Sequence, residues 1–139
     1  MKRIELEFEE TEAIATGVLF EKEAPKTCEV FWNALPLENT MVHSSWSGES
    51  IIAHPCGVKM SPDSPQENRT IFVGPGEIIM ETRVEELMIF YGRGQPRWRE
   101  GPTPMSVIGE IVEGLKEFAD QCRKMPKEGS KVLIIRKKE

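Results

Sequence analysis

Histidine, cysteine and tryptophan are the scarce residues with chemistry beyond packing in this chain, at two, three and three copies. Most fall between Glu23 and His54, EAPKTCEVFWNALPLENTMVHSSWSGESIIAH, which holds both histidines, Cys28, Trp32 and Trp46. His43 and His54 with Glu49 are ligand types that zinc or iron accepts. No His-x-His or HExxH spacing accompanies them, so no metal is expected. Ser44, Ser45 and Ser47 beside His43 carry hydroxyls suited to acyl transfer, without the Gly-x-Ser-x-Gly elbow that presents a serine nucleophile. Cys56, two residues after His54, is a slightly better nucleophile candidate, although loop thiols are more often inert than reactive. Gly74-Pro75-Gly76 and Gly92-Arg93-Gly94 share only glycine with phosphate loops. Neither leads from a strand into a helix with the required spacing, and turn glycines account for both.

Trp46, Tyr91, Arg97, Trp98 and Arg99 fall in segments that read as loops or strand ends. Aromatics there need not serve a core, and loops on a rigid scaffold often carry sites. Rings beside guanidinium groups suit a carboxylate, a planar ligand or an extended peptide. The rings would stack, an arginine would pair with an acid, and His43 and Glu49 would orient polar groups. The candidate ligand-binding set is therefore His43, Trp46, Glu49, Tyr91, Arg97 and Trp98; no catalytic residue is singled out. The competing reading is that each ring packs over an open end of the fold. Phe31 and Trp32, by contrast, sit on or beside a helical apolar stripe and read as core.

The bulk properties restrict the partners. The net charge is -5 with both signs interspersed, which argues against a nucleic-acid groove. Arg136-Lys137-Lys138 is a short solvated tail. Three widely spaced cysteines without CxxC argue against structural zinc and read as reduced thiols of a cytoplasmic protein. MKRIELEFEE is an alternating strand, not a secretory segment. No apolar run approaches the roughly 20 residues of a membrane helix. The length, 139 residues, suits one domain spanning 1–139.

Those side chains need elements to position them. Ile4, Leu6 and Phe8 alternate with Arg3, Glu5 and Glu7, a strand with one wet face. Ala13 to Phe20 is a second strand, and Gly17 marks a bulge or bend of the kind that closes curved sheets. Ala24-Pro25 opens a helix at the position where proline loses no hydrogen bond. Cys28, Phe31, Trp32 and Leu35 form its apolar stripe, and Pro36 stops it. Thr40–His43 and Ser50–His54 read as strands about a Ser-Gly turn. Pro55–Asn68 is a surface loop long enough to be functional or mobile. Thr70–Val73 is a short strand; Glu77–Thr82 and Glu86–Tyr91 form a hairpin. Gly92–Thr103 is a second irregular loop. Thr103 then caps, and Pro104 opens, the longest helix, with Ile108, Ile111, Val112, Leu115, Phe118 and Ala119 on its buried side and Pro126 past its end. Lys131–Arg136 is the last strand. About eight strands and two helices indicate a mainly β, α+β fold, a closed barrel with two capping helices.

The run Glu23-Ala24-Pro25-Lys26-Thr27-Cys28-Glu29-Val30-Phe31 resembles the first helix of cyclophilins. More closely, the chain resembles small cyclophilin-like proteins of bacteria and archaea whose function is undefined. The shared features are the Ala-Pro-Lys-Thr helix ending in Leu35-Pro36, Trp46-Ser47-Gly48-Glu49, Pro75-Gly76-Glu77-Ile78, Tyr91-Gly92, and Thr103-Pro104-Met105-Ser106 leading into Val107–Leu115. The resemblance covers nearly the whole chain. It implies a closed eight-stranded cyclophilin-like β-barrel with two capping helices, and it brings peptidyl-prolyl isomerisation into view. Where cyclophilins carry a catalytic arginine in a Phe-His-Arg segment, Val42-His43-Ser44 has serine, which offers no charge to the prolyl nitrogen. The expectation is a domain that binds a small metabolite or short peptide in a cleft at the barrel, without cofactor, nucleic acid or membrane. The alternatives are a prolyl isomerase with a displaced or missing arginine, in which Arg97 or Arg99 reaches in, and a homo-oligomer joined through strand edges or loops.

Overall fold

A computed structural model describes residues 1–139. In chain order its elements are β1 (Arg3–Phe8), β2 (Ile14–Leu19), α1 (Pro25–Ala34), β3 (Leu37–His43), β4 (Gly48–Ala53), β5 (Arg69–Thr70), β6 (Glu77–Glu81), β7 (Glu86–Gly94), β8 (Arg97–Trp98), β9 (Gly101–Pro102), β10 (Met105–Glu113), α2 (Leu115–Glu128) and β11 (Lys131–Lys138). Eight strands in the order β2-β1-β11-β3-β4-β7-β6-β10 pair antiparallel, and β10 returns to β2, so the sheet is a closed barrel. β5 adds to the first two residues of β10, and β8–β9 is a separate two-stranded ribbon.

The closing seam depends on glycine. Gly17 lies opposite Ile111 and Gly109 opposite Leu19. A Cβ on Gly17 would sit 3.1 Å from the Glu110 carbonyl oxygen and 3.2 Å from Ile4, and one on Gly109 would collide with the Val18 carbonyl. The strands therefore approach more closely there than a side chain allows.

The barrel interior is filled by the inward residues of the alternating strands. Ile4, Leu6 and Phe8 are fully buried, while their odd-numbered neighbours face outward. Both helices add to this interior: α1 through Cys28 and Phe31, α2 through Phe118, Ala119, Cys122 and Met125. Phe118 stacks on Phe8 with ring centroids 4.9 Å apart. Each such ring contributes about 1.5–3 kcal/mol over its exposed state. A smaller cluster, Ile79, Met88, Phe90, Met105 and Val107, lies on the outer wall, with Phe20, Ile52 and Val73 against it. β6, β7 and β10 are thus buried on both faces, and β7 has no exposed residue from Glu86 to Tyr91.

That two-sided burial corrects the expected second helix. Met105–Glu113 is a strand, and α2 begins only at Leu115, after Gly114 turns the chain at φ +79°. An apolar strand run followed directly by an amphipathic helix produces helical spacing across the join. Thr103 caps nothing: its hydroxyl accepts from the Trp98 amide at 3.3 Å. Pro126 lies within the last turns of α2, which Gly129 ends at φ +94°. The Thr70–Val73 strand shrinks to Arg69–Thr70, and the expected loop Gly92–Thr103 contains the end of β7 and the β8–β9 ribbon.

The 55–68 segment lacks regular structure but is anchored. Cys56, Val58 and Met60 are buried, and the amides of Cys56 and Met60 donate to the carbonyls of Glu85 and Thr82 at 2.8 and 3.3 Å. Its last acid, Glu67, caps α1. It accepts from the Thr27 amide and hydroxyl, both at 2.8 Å, and from the Lys26 amide at 3.3 Å. Ala24, at the cap position, has no side chain to do so. No helix is long and apolar enough to cross a membrane.

Candidate functional site

The outer wall formed by β3, β4 and β7 carries a cavity of about 170 Å³. Val42 lies opposite Ile52, and Ile52 opposite Met88, so these three make one transverse apolar row along its floor. The β3–β4 turn and the β8–β9 ribbon form the walls, bringing Trp46, Arg97 and Trp98 over that floor. The site is therefore on the barrel's flank rather than at its mouth.

Both indoles are held in place. Trp46, still 57% exposed, donates its Nε1–H to the Arg97 carbonyl at 2.9 Å. Trp98, half-buried, donates its Nε1–H to Glu86 Oε2 at 3.0 Å. Turn and ribbon are fastened together by Ser47, whose Oγ accepts from the Arg97 amide at 3.2 Å and donates to the Arg97 carbonyl at 3.3 Å. The Gln95 amide donates to the Ser47 carbonyl at 2.9 Å. This approach needs glycine: a Cβ on Gly48 would lie 2.6 Å from the Arg93 carbonyl oxygen, and one on Gly94 would strike the Ser47 carbonyl. The Ser-Gly pair that read as a turn signal is thus also a contact requirement.

His43 connects the cavity to the barrel interior. Its Nδ1 lies 3.0 Å from the Ser44 carbonyl, which can only accept, so in the neutral ring Nδ1 carries the hydrogen. Nε2 then accepts from the Tyr91 hydroxyl at 2.6 Å. Burial, followed by the nearby Glu49 carboxylate and Cys122, pushes the Tyr91 phenol upward, which keeps it a donor. Tyr91 points inward with the core, and the Arg123 guanidinium lies 5.4 Å from its ring centroid. Glu49 accepts from the Arg93 amide at 2.9 Å and faces Arg123 at 3.6 Å, tying β4, β7 and α2 together.

Of the six candidate residues, His43, Trp46, Arg97 and Trp98 line the cavity, whereas Glu49 and Tyr91 do not. Tyr91 reaches it only through His43. Residues that sequence reasoning passed over include Glu86, Met88, Val42 and Ile52. Glu86 left one signal, an acid opening the otherwise apolar run Leu87–Tyr91.

The thiols lie elsewhere and are not activated. All three cysteines are free and buried. Burial first, then Glu21 and Glu67, pushes Cys28 up to about 12. Burial raises Cys56 and Cys122 as well, so the Cys56 nucleophile reading has no chemical support. No group of three or more His, Cys, Asp or Glu side chains is arranged to hold a metal ion.

McbB, in a complex with tryptophan, superposes with a TM-score of 0.74 at 20% identity, covering 97% of this chain and 44% of its own. The chain thus spans less than half of McbB. The hypothetical protein AF2241 from Archaeoglobus fulgidus gives 0.66 at 22% identity, covering 99% of this chain and 95% of its own. A Cryptosporidium parvum cyclophilin-type peptidyl-prolyl cis-trans isomerase, in the presence of the dipeptide Ala-Pro, gives 0.65 at 14% identity and covers 99% of both chains. At such identities the likeness carries the fold alone, a cyclophilin-like barrel. No curated protein matches the chain. The model of one family, described as a protein of unknown function (DUF3830), matches residues 5–135, and the chain accordingly belongs to the DUF3830 family, with a cyclophilin-like barrel as its fold.

Proposed function

We propose that the protein binds a small metabolite, or one residue of a short peptide, in the flank cavity between Trp46 and Trp98. The observation that carries this is the pair of indoles, drawn from distant segments and each fixed by its own N–H bond, over an apolar floor. Rings immobilised beforehand lose little freedom when a ligand arrives. A tryptophan left 57% exposed beside a cavity also has apolar surface to cover. The volume, about 170 Å³, suits one ring or a short chain rather than a large cofactor. Two structural neighbours were determined with ligands of this scale, tryptophan and the dipeptide Ala-Pro. Fragment screening by indole fluorescence and NMR tests the reading. Trp46→Ala is expected to weaken any fragment found at least tenfold while the fold stays intact. An unchanged affinity refutes the site.

A second reading has one specific observation behind it. Ser44 stands where cyclophilins place their catalytic arginine, but Arg97 lines the same cavity from the β8–β9 ribbon. Its guanidinium, on an exposed residue, donates to Gln95 Oε1 at 3.3 Å, and this reading requires it to exchange that partner for a bound prolyl nitrogen. A hydrogen bond there would lower the roughly 20 kcal/mol rotational barrier. A proline-peptide isomerisation assay decides: catalysis lost in Arg97→Ala supports the reading, and folded wild-type protein matching buffer ends it.

A further inference from the structure

We infer that the ligand of this cavity carries a cationic nitrogen, a protonated amine or quaternary ammonium, that sits against Glu86. The inference rests on the cavity being a binding site and names the chemistry of what it takes. Glu81 and Glu86 make the comparison that leads to it. They are register partners at the end of the β6–β7 hairpin, and both are buried, at 1% and 6% exposure. Glu81 has its countercharges: Arg83 binds one carboxylate oxygen, and Arg69 lies 3.5 Å from the other. Glu86 has none. Its hydrogen bond comes from the neutral indole N–H of Trp98, to Oε2 alone.

A carboxylate withdrawn from water without a cation is costly, and proteins otherwise pair it. The free oxygen of Glu86 is not sealed inside the protein, because Glu81 Oε2 is the one fully buried side-chain oxygen without a hydrogen-bond partner. Glu86 instead forms part of the cavity wall. Two indoles share that wall, and an indole face attracts a cation best among the aromatic side chains. Carboxylate and indoles together make a cage with a site for one positive nitrogen. Arg97 does not fill it: the residue is exposed, its guanidinium bonds Gln95, and it makes no ion pair with Glu86.

The test uses the intact protein with benzylamine, benzyl alcohol and benzoate, three probes of one ring and different charge, followed by calorimetry and the indole N–H resonances. Benzylamine is expected to bind at least tenfold more tightly than benzyl alcohol, with benzoate weakest. Glu86→Gln keeps an oxygen to accept from Trp98 and removes the charge. It should bring benzylamine to the level of benzyl alcohol. If the alcohol or benzoate binds as tightly as the amine, or if Glu86→Gln leaves the amine's affinity unaltered, the cation is refuted and the cavity still stands as a binding site. If none of the three moves the Trp46 and Trp98 resonances at millimolar concentration, both readings fall together. The wild-type comparison decides the matter even if Glu86→Gln does not fold.

Discussion

Replacing Glu67 by alanine removes the cap of a helix some 40 residues earlier in the chain, and the cost can be worked from its contacts. Three donors in the first turn of α1 point at this carboxylate: the Thr27 amide and hydroxyl at 2.8 Å and the Lys26 amide at 3.3 Å. α1 has ten residues, no side-chain cap of its own and no acid in its first turn, so it is too short to stand without help. Loss of a helix cap costs about 0.5–2 kcal/mol. Loss of a negative charge at a helix N-terminus adds about 0.3–1 kcal/mol, with the lower end applying to a side chain still in contact with water. The expected total is about 1.5 kcal/mol, or a fall in Tm of about 4–6 °C for a chain of this size. Burial pushes the Glu67 carboxyl upward, but the hydrogen bonds from Thr27 and Lys26 outweigh it and hold the group below its ordinary value. Its stabilisation is therefore fully present above the unfolded carboxyl value of about 4.3 and disappears as pH falls through the lower folded value. Urea unfolding of wild type and Glu67→Ala at pH 7 should show the full difference, which should shrink below about pH 4. Amide exchange at Lys26 and Thr27 should accelerate in the variant. Equal midpoints at pH 7, or a difference that persists unaltered at pH 3, would refute the capping role.

Three further outcomes are expected. Gly114→Ala, at φ +79° with its new Cβ 2.7 Å from the Ile14 carbonyl oxygen, should lose more than about 2 kcal/mol, whereas Gly129→Ala, at φ +94° in open space, should lose only about 1 kcal/mol; equal losses in urea would sink the steric account. Arg69→Met should destabilise by about 2–3 kcal/mol and Arg83→Met by about 1 kcal/mol, because Arg69 is the less exposed partner of Glu81 and also bonds Gln66 and the Pro104 carbonyl. Thermal unfolding would expose the reverse order. The three buried thiols should resist an aromatic disulfide reagent at pH 8 in the native protein and react together on unfolding; fast labelling of Cys56 in the folded state would contradict its burial.

The parts of the fold legible along the chain are those set by neighbours a few residues apart. Alternation marked Ile4, Leu6 and Phe8 as the inner face of a strand, and they are fully buried. Proline at the helix start and the stripe through Cys28 and Phe31 placed α1, and Arg83-Val84-Glu85 marked the β6–β7 turn. The misreading of β10 as helix has a definite cause. A strand covered on both faces loses its period of two, and Ile108 and Ile111 then match the spacing of the helix that follows Gly114.

The candidate site divides in the same way. Residue type and loop position were enough to mark His43, Trp46, Arg97 and Trp98, which the structure gathers around one cavity. They were not enough to separate these from Glu49 and Tyr91, because which side of the barrel wall a side chain faces depends on strand register, and register depends on partners far along the chain. The partners of Glu86 and Glu67 were not legible for the same reason: an acid's sequence neighbours do not disclose whether arginines, an indole or a helix terminus will meet it. Local periodicity and turn chemistry determined β1, β2, the β6–β7 hairpin and the first helix. Only closure of the sheet decided that one buried acid is matched by two arginines while its partner across the ladder faces a cavity walled by tryptophan.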